Sequence, residues 1–282
     1  METGENKPII IKSKDFLRKD LAENGHLSIQ VGDNYLSYCI LDTNSLTYNY
    51  IREYKLRSTE NYAREITNII NQDEIIRNDF LSTSVAYLNT PSTLIPEKFY
   101  KKEDEYKFLQ FQTEINGDIM SDYISCQAAY LIYSVPTHIR EIINTFFPEN
   151  KEKSQESILI EQYNNLDKEQ DNTYLYLNEG KATITTFRNK KLIFNNTFKY
   201  ITKEDLLYFV LFCFEQLKLS NETTSLIIYG NIEAKDIYFN ILYDYVRNIK
   251  LGSRPHQLLY SDEFNSIKKH KYFGLFSQVL CV

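Results

Sequence analysis

The chain of 282 residues has no tryptophan, two methionines, eight glycines and six prolines. So little glycine and proline excludes a loop-rich or disordered chain, because such chains lean on those residues and on low hydrophobicity. The four cysteines, at 39, 126, 213 and 281, are scattered, and none forms a C-x-x-C pair. No disulfide framework is implied, and the reducing cytoplasm is the expected compartment. Cys39 and Cys213 stand in apolar runs and read as small buried hydrophobes. The longest apolar stretch, residues 206–214, is about half of the ~20 residues a membrane span needs, so no membrane insertion is expected. The charged first 21 residues lack the apolar core of a secretory signal. Net charge is −6 with no long basic block, so a nucleic-acid partner is not expected on electrostatic grounds. The short run Lys268-Lys269-His270-Lys271 reads as a solvated loop. His26, His138, His256 and His270 match no metal-ligand spacing, and no G-x-S-x-G, Walker A or H-E-x-x-H motif occurs.

What is present is a core-forming composition, 43% hydrophobic and rich in Tyr (23) and Phe (17), written in one pattern twice. Residues 173–248 read as three strands, a helix, a strand and a helix, and the same order begins at Leu27. Corresponding elements start at 173 and 27, at 203 and 59, and at 225 and 83, so their separation drifts only from 146 to 142 residues. A constant spacing of that kind indicates internal duplication.

In the first copy, residues 27–31, 35–41 and 46–56 read as strands separated by the turns Gly32-Asp33-Asn34 and 42–45. Ser58 is an expected N-cap, before a helix carrying Tyr62, Ile66, Ile69 and Ile70. Residues 84–88 make a short buried strand. Residues 93–126 have no counterpart in the second copy and read as an insertion containing a short helix. A strand at 129–135 and a helix opened by Pro136-Thr137 and stopped by Pro148 follow. The polar stretch 149–172 is the expected boundary, with a helix around Ile158–Ile160.

In the second copy, Thr202 and Asp205 have the spacing of a capping box. The helix behind them is apolar nearly all round and is expected to be sandwiched. The next helix carries Ile237, Ile241, Leu242, Tyr245, Val246 and Ile249 on one stripe, which should cover a sheet face. The last apolar run, YFGLFSQVLCV, is expected to return as a terminal strand.

A duplicated βββαβα unit is the pattern of the actin-like ATPase folds within the ribonuclease-H-like class. The runs LSIQVGDNYLSYCILD, LIPEKFYKKEDEYKFLQF, FRNKKLIFNNTFKYITKEDLLYFVLFCFEQLKL, LIIYGNI and YDYVRNI resemble a bacterial family, domain of unknown function 3822, described as having an actin-like ATPase fold. The similarity extends from Leu27 to the end of the chain. It implies an α/β protein with a first ribonuclease-H-like lobe at 1–150, interrupted at about 93–126, and a second at 151–282. The family brings no assigned activity.

The resemblance also implies where a nucleotide would sit. Actin-like ATPases cradle phosphates with two Asp-x-Gly hairpin turns, whose acids position the metal, and hold the adenosine at a glycine-rich strand-to-helix turn. The corresponding stretches here are Gly32, Asp33 and Asn34; Asn178, Glu179 and Gly180; and Gly230 with Asn231. Gln30 and Asn178 stand where the two acids belong, Lys181 follows the second glycine, and one glycine replaces the usual pair in the third turn. Ordinary turns favour these same residues with no ligand. Strands 27–31 and 174–177 contain no acid for a ribonuclease-H-type metal pair, and Asp42 reads as a turn residue. The expectation is a degenerate nucleotide site with no cofactor, ATP and Mg being poorly provided for. The protein is then a non-catalytic, partner-binding scaffold, as pseudo-ATPases of this fold are in type IV pilus and type II secretion assembly. The alternatives are a nucleotide-binding ATPase or kinase-like enzyme with unusual phosphate ligands and, more distantly, a nucleic-acid binder.

Overall fold

Two three-stranded antiparallel meanders, each continued by helix, parallel strand and helix, make the frame of the molecule. The structure is a computed structural model describing residues 9–16, 18–56, 61–111, 114–166 and 171–282. Strand β1 (Ile9–Lys12) and the short helix α1 (Leu21–Asn24) lead to β2 (Gly25–Val31), β3 (Tyr35–Asp42) and β4 (Thr47–Lys55). Helix α2 (Tyr62–Gln72) returns the chain to β5 (Ser82–Tyr87), parallel to β2. Next come β6 (Ser92–Pro96), α3 (Glu105–Gln110), β7 (Asp118–Ile124) and β8 (Ala129–Val135), which form a separate sheet in the order β6–β8–β7. Helix α4 (Thr137–Phe146), β9 (Lys151–Ser154) and α5 (Gln155–Leu166) complete the first half. The second runs β10 (Asn172–Asn178), β11 (Lys181–Arg188), β12 (Lys191–Lys199), α6 (Lys203–Gln216), β13 (Ser225–Gly230), α7 (Ile237–Tyr245) and β14 (Asn248–Leu251). The chain ends with β15 (Leu259–Tyr260), parallel to β4, and α8 (Phe273–Ser277), which packs on β2, β3 and α5. The order β4–β3–β2–β5–β9 in the first sheet is repeated as β12–β11–β10–β13–β14 in the second, which is the duplication the sequence announces.

The strand period of two sorts the cores. Along β10, Tyr174 and Tyr176 face a core shared with the first half, while Leu175 and Leu177 face a second core under α6 and α7. Along β3, Tyr38 and Ile40 join the shared core, while Cys39 and Leu41 join a third with Leu275 and Phe276. Both central strands, β2 and β10, are buried along their whole length, as parallel-paired strands covered on two faces should be.

The halves meet through aromatic rings. Tyr163 of α5 stacks on Tyr174 of β10 at 4.2 Å and 6°, with Phe273 of α8 at 5.6 Å on a nearly parallel plane. Tyr229 of β13 closes the group, 4.2 Å from Phe273. A second tie is the buried Glu156, which accepts hydrogen bonds from Ser92 of β6 and from Thr197 of β12 (2.9 Å). Burial raises its pKa.

Several expectations need correction. The inserted sheet takes in β8, so it extends beyond residue 126. The polar segment after 150 contains β9, which pairs with β5 of the first sheet, and the last residues return to that sheet through β15 and α8. The YFGLFSQVLCV run forms α8 and a following 3₁₀ turn rather than a strand; its apolar residues recur at helical spacing, with Phe273 and Phe276 both buried. Helix α6 is not sandwiched: Leu206, Val210, Cys213 and Phe214 are buried, while Tyr208 is 60% exposed and Phe212 42%. On α7, Leu242 and Val246 are buried but Ile237 and Tyr245 lie in solvent, and residues 248–251 leave the helix as β14. The capping box is present, with Thr202 Oγ1 accepting from Asp205 N (3.1 Å) and Asp205 Oδ2 from Thr202 N (2.9 Å). The N-cap expected at Ser58 lies outside the described residues; α2 begins behind Asn61.

Truncating Phe273 would open a void between the halves. Phe273→Ala is expected to lose about 3–5 kcal/mol in chemical denaturation. Tyr163→Phe should stay within about 1 kcal/mol of wild type, because the Tyr163 hydroxyl is buried without a hydrogen-bond partner among the described residues.

Candidate nucleotide site

The β2–β3 and β10–β11 hairpins present their tips to each other. In the first, Gly32 N donates to Tyr35 O (3.0 Å), and Tyr62 of α2 donates its hydroxyl to Gly32 O. In the second, Glu179 (φ 48°) and Gly180 (φ 74°) both hold left-handed backbone, the requirement of a two-residue hairpin turn with the right twist. Lys181 Nζ reaches across to Asp33 Oδ2 at 2.8 Å and to Asn89 O at 3.3 Å. The Glu179 carboxylate accepts the backbone N–H of Asn34. Its pKa is nevertheless pushed up to about 7, first by burial and then by the Asp33 charge.

The two amides at the acid positions are engaged by protein. Gln30 Nε2 donates to Gln155 Oε1 at the start of α5 (3.0 Å). Asn178 Nδ2 donates to Tyr35 Oη (3.0 Å), and Asn231 Nδ2 approaches Asn178 Oδ1 (3.4 Å). The third turn is equally occupied: Gly230 N donates to His270 O (3.0 Å) and Asn231 N to Leu177 O (2.7 Å). Gly230, at φ 90°, is required there, since a Cβ would fall 2.1 Å from Leu177 O. The N-terminus of α7 is closed by its own cap, Asp236, whose Oδ1 accepts from Phe239 N (2.6 Å).

Of the eight turn residues, Asn178, Gly230 and Asn231 line one cavity between the halves, and Asp33, Asn34 and Glu179 meet across the hairpin tips. Gln30, Tyr35, Glu53 and Lys271 also line this cavity, whose volume is about 10 Å³, room for about one water. A bound nucleotide needs a pocket in the range of several hundred Å³. An open depression of about 260 Å³ adjoins Gly230 and Asn231, where Glu233 and Asp236 offset Lys268 and Lys271. Within the basic run at 268–271, His270 is buried against Ile232 O (2.6 Å), while Lys268 and Lys269 are exposed. Asp42 accepts from Asn44 N (2.9 Å), a turn residue as read. Among the described residues no group of three or more His, Cys, Asp or Glu could hold a metal.

Sequence reasoning missed Gln155, Tyr35 and Glu53. Nothing in the local pattern of Gln155 marks it, since its partner lies 125 residues away. The Asp33–Lys181 pair was legible in principle, as opposite charges at equivalent tips of a duplicated hairpin.

The family described as "Protein of unknown function (DUF3822)" matches residues 15–249. The chain belongs to this family. No curated protein matches it. Among solved structures, this DUF3822 chain is similar to a protein of Bacteroides thetaiotaomicron VPI-5482 with an actin-like ATPase fold and unknown function. They are 17% identical with a TM-score of 0.78, over 93% of this chain and 97% of that one. It is also similar to a chain of a PilM–PilN type IV pilus biogenesis complex (9% identity, TM-score 0.58, 90% and 97% covered). A third is the ethanolamine utilization protein EutJ of Carboxydothermus hydrogenoformans (7%, 0.50, 91% and 89%). The DUF3822 chain therefore has the actin-like ATPase fold. No helix among its described residues is long and apolar enough to cross a membrane.

The Glu179 environment predicts a pH dependence. The folded protein holds a proton that the unfolded chain releases near 4.5, so stability falls as pH rises from about 4.5 to about 7. Glu179 is exposed enough for water to screen it, which limits the effect to about 1 kcal/mol or less. Denaturation midpoints of Glu179→Gln should match wild type at pH 4 and exceed it at pH 8.

Proposed function

We propose that this DUF3822 chain is a non-catalytic scaffold of actin-like fold that works by binding another protein in the cytoplasm. The observation that carries this reading is the state of the two metal-positioning sites. Both hold neutral amides, Gln30 and Asn178, and both amides are consumed by hydrogen bonds to protein, at Gln155 and Tyr35. An amide cannot supply the negative charge that Mg²⁺ or its waters need. The cavity beside them, about 10 Å³, adds support, as does the self-capped α7. The likeness to the PilM–PilN complex, at 9% identity, supports a protein partner by analogy of fold. Four free cysteines fit a reducing compartment.

The alternative, a nucleotide-binding enzyme, has one observation in its favour, the depression beside Gly230 with Lys268 and Lys271 on its wall. Calorimetric titration with Mg-ATP, ADP and GTP separates the two. The scaffold reading expects no heat and no thermal stabilisation at millimolar nucleotide. Binding at micromolar affinity, lost in Gly230→Ala, would overturn it.

A further inference from the structure

Helix α6 carries a contradiction between sequence and surroundings. LLYFVLFCF is apolar all round, a composition that belongs to a helix covered on every side. Yet the sheet covers only one side, that of Leu206, Val210, Cys213 and Phe214. The outward side runs Glu204, Tyr208, Phe212, Glu215, positions three and four apart and all exposed. The Tyr208 and Phe212 rings stack on each other there at 5.9 Å, 60% and 42% exposed among the described residues.

Helix α7 lies beside α6 on the same core, and it too leaves apolar side chains in solvent. Tyr243 is 63% exposed, and Ile237 and Tyr245 are exposed by more than half. Single exposed apolar side chains are ordinary, but this grouping on two adjacent helices is an interaction surface. Within the two helices the charge leans acidic: Glu204, Asp205, Glu215 and Asp244 stand against Lys203, with Lys218, Lys235 and Arg247 just beyond the helix ends.

We propose that the outer faces of α6 and α7 are the docking surface for a basic amphipathic helix of a protein partner. The i, i+4 aromatic pair offers the anchors that a helix laid across two helices uses, and the acidic flanks select lysine and arginine on its rim. Charge decides against the other occupants. A second copy docked through the same face would set acidic flank on acidic flank. An anionic membrane would be repelled, since membrane-lying faces carry Lys and Arg. The proposal rests on the partner-binding reading and names its surface, but it stands apart from the cleft. If Mg-ATP binds, the scaffold reading fails and this surface is untouched. If the surface fails and nucleotide does not bind, the scaffold reading survives with its partner elsewhere.

The test uses the full chain and a fluorescent amphipathic helix of about 18 residues, five turns of leucine and lysine, read by anisotropy. Its leucine–glutamate counterpart and phosphatidylglycerol vesicles serve as competing occupants. The Leu–Lys helix is expected to bind and the other two not. Tyr208→Glu with Phe212→Glu should weaken binding at least about tenfold, as loss of central aromatic anchors does. Phe99→Glu, an equally exposed ring in the 3₁₀ turn after β6, should leave it unchanged. Glu204→Lys with Glu215→Lys should reverse the preference toward the Leu–Glu helix, a result that misfolding cannot imitate. Equal binding by the Tyr208/Phe212 variant and wild type, or by both peptides to wild type, would overturn the proposal. So would vesicle binding, or a wild-type dimer in sedimentation equilibrium that the Phe212→Glu change dissolves.

Discussion

Tyr163 lies flat on Tyr174 with Phe273 beside it on a nearly parallel plane, and the closure of the molecule follows from that group of rings. The three rings belong to α5, β10 and α8, so one contact fixes the last helix of each half against a central strand. Aromatic pairs of this kind contribute about 0.5–1.5 kcal/mol beyond their buried area. That surplus has to outweigh a Tyr163 hydroxyl without a partner among the described residues, a cost of similar size. A stack that tolerates such a hydroxyl is held by what surrounds it. Here that is the core shared by Leu27, Ile29, Val85 and Tyr176.

The chemistry of the interlobe mouth follows from this closure. With the halves in contact there, any charge at position 30 or 178 would be buried away from bulk water, where an unpaired carboxylate is costly. An amide both donates and accepts, so Gln30 can satisfy Gln155 and Asn178 can join Tyr35 to Asn231 without a counter-ion. Asp33, Glu179 and Lys181 stand at the rim, and the charges that line the cavity itself, Glu53 and Lys271, pair with each other at 3.8 Å. Gln30 and Asn178 are thus side chains that a closed junction accommodates without a counter-ion.

How much of this was legible in the sequence depended on the reach of each signal. The alternation in TYLYLNEG and the glycine turn behind it marked β10 and its hairpin, because both act within a few residues. Thr202 and Asp205 marked the start of α6 for the same reason. Strand β9 was missed because KEKS has no apolar period; it is a strand only through its parallel pairing with β5, sixty-odd residues earlier. YFGLFSQVLCV was misread because a short apolar run carries no period long enough to separate strand from helix. The eight turn residues were found individually, while the contacts among them, and the Gln30–Gln155 and Asn178–Tyr35 pairs, depend on a fold that only the duplication hinted at.

The misreading of α6 differs in kind. The apolar period there was read correctly, and the expectation of a covered helix followed from it; what failed was the assumption that the chain itself supplies the cover. A sequence free to place polar side chains at 208 and 212 would gain solubility at no packing cost, since neither residue is buried in the core. That both are aromatic, flanked by Glu204 and Glu215, is a departure from local consistency, and such departures gather where function is. At the junction of the halves Gln30 and Asn178 are engaged by the protein's own residues, Gln155 and Tyr35. The chain's unmet requirement lies outside, on the helices of the second half.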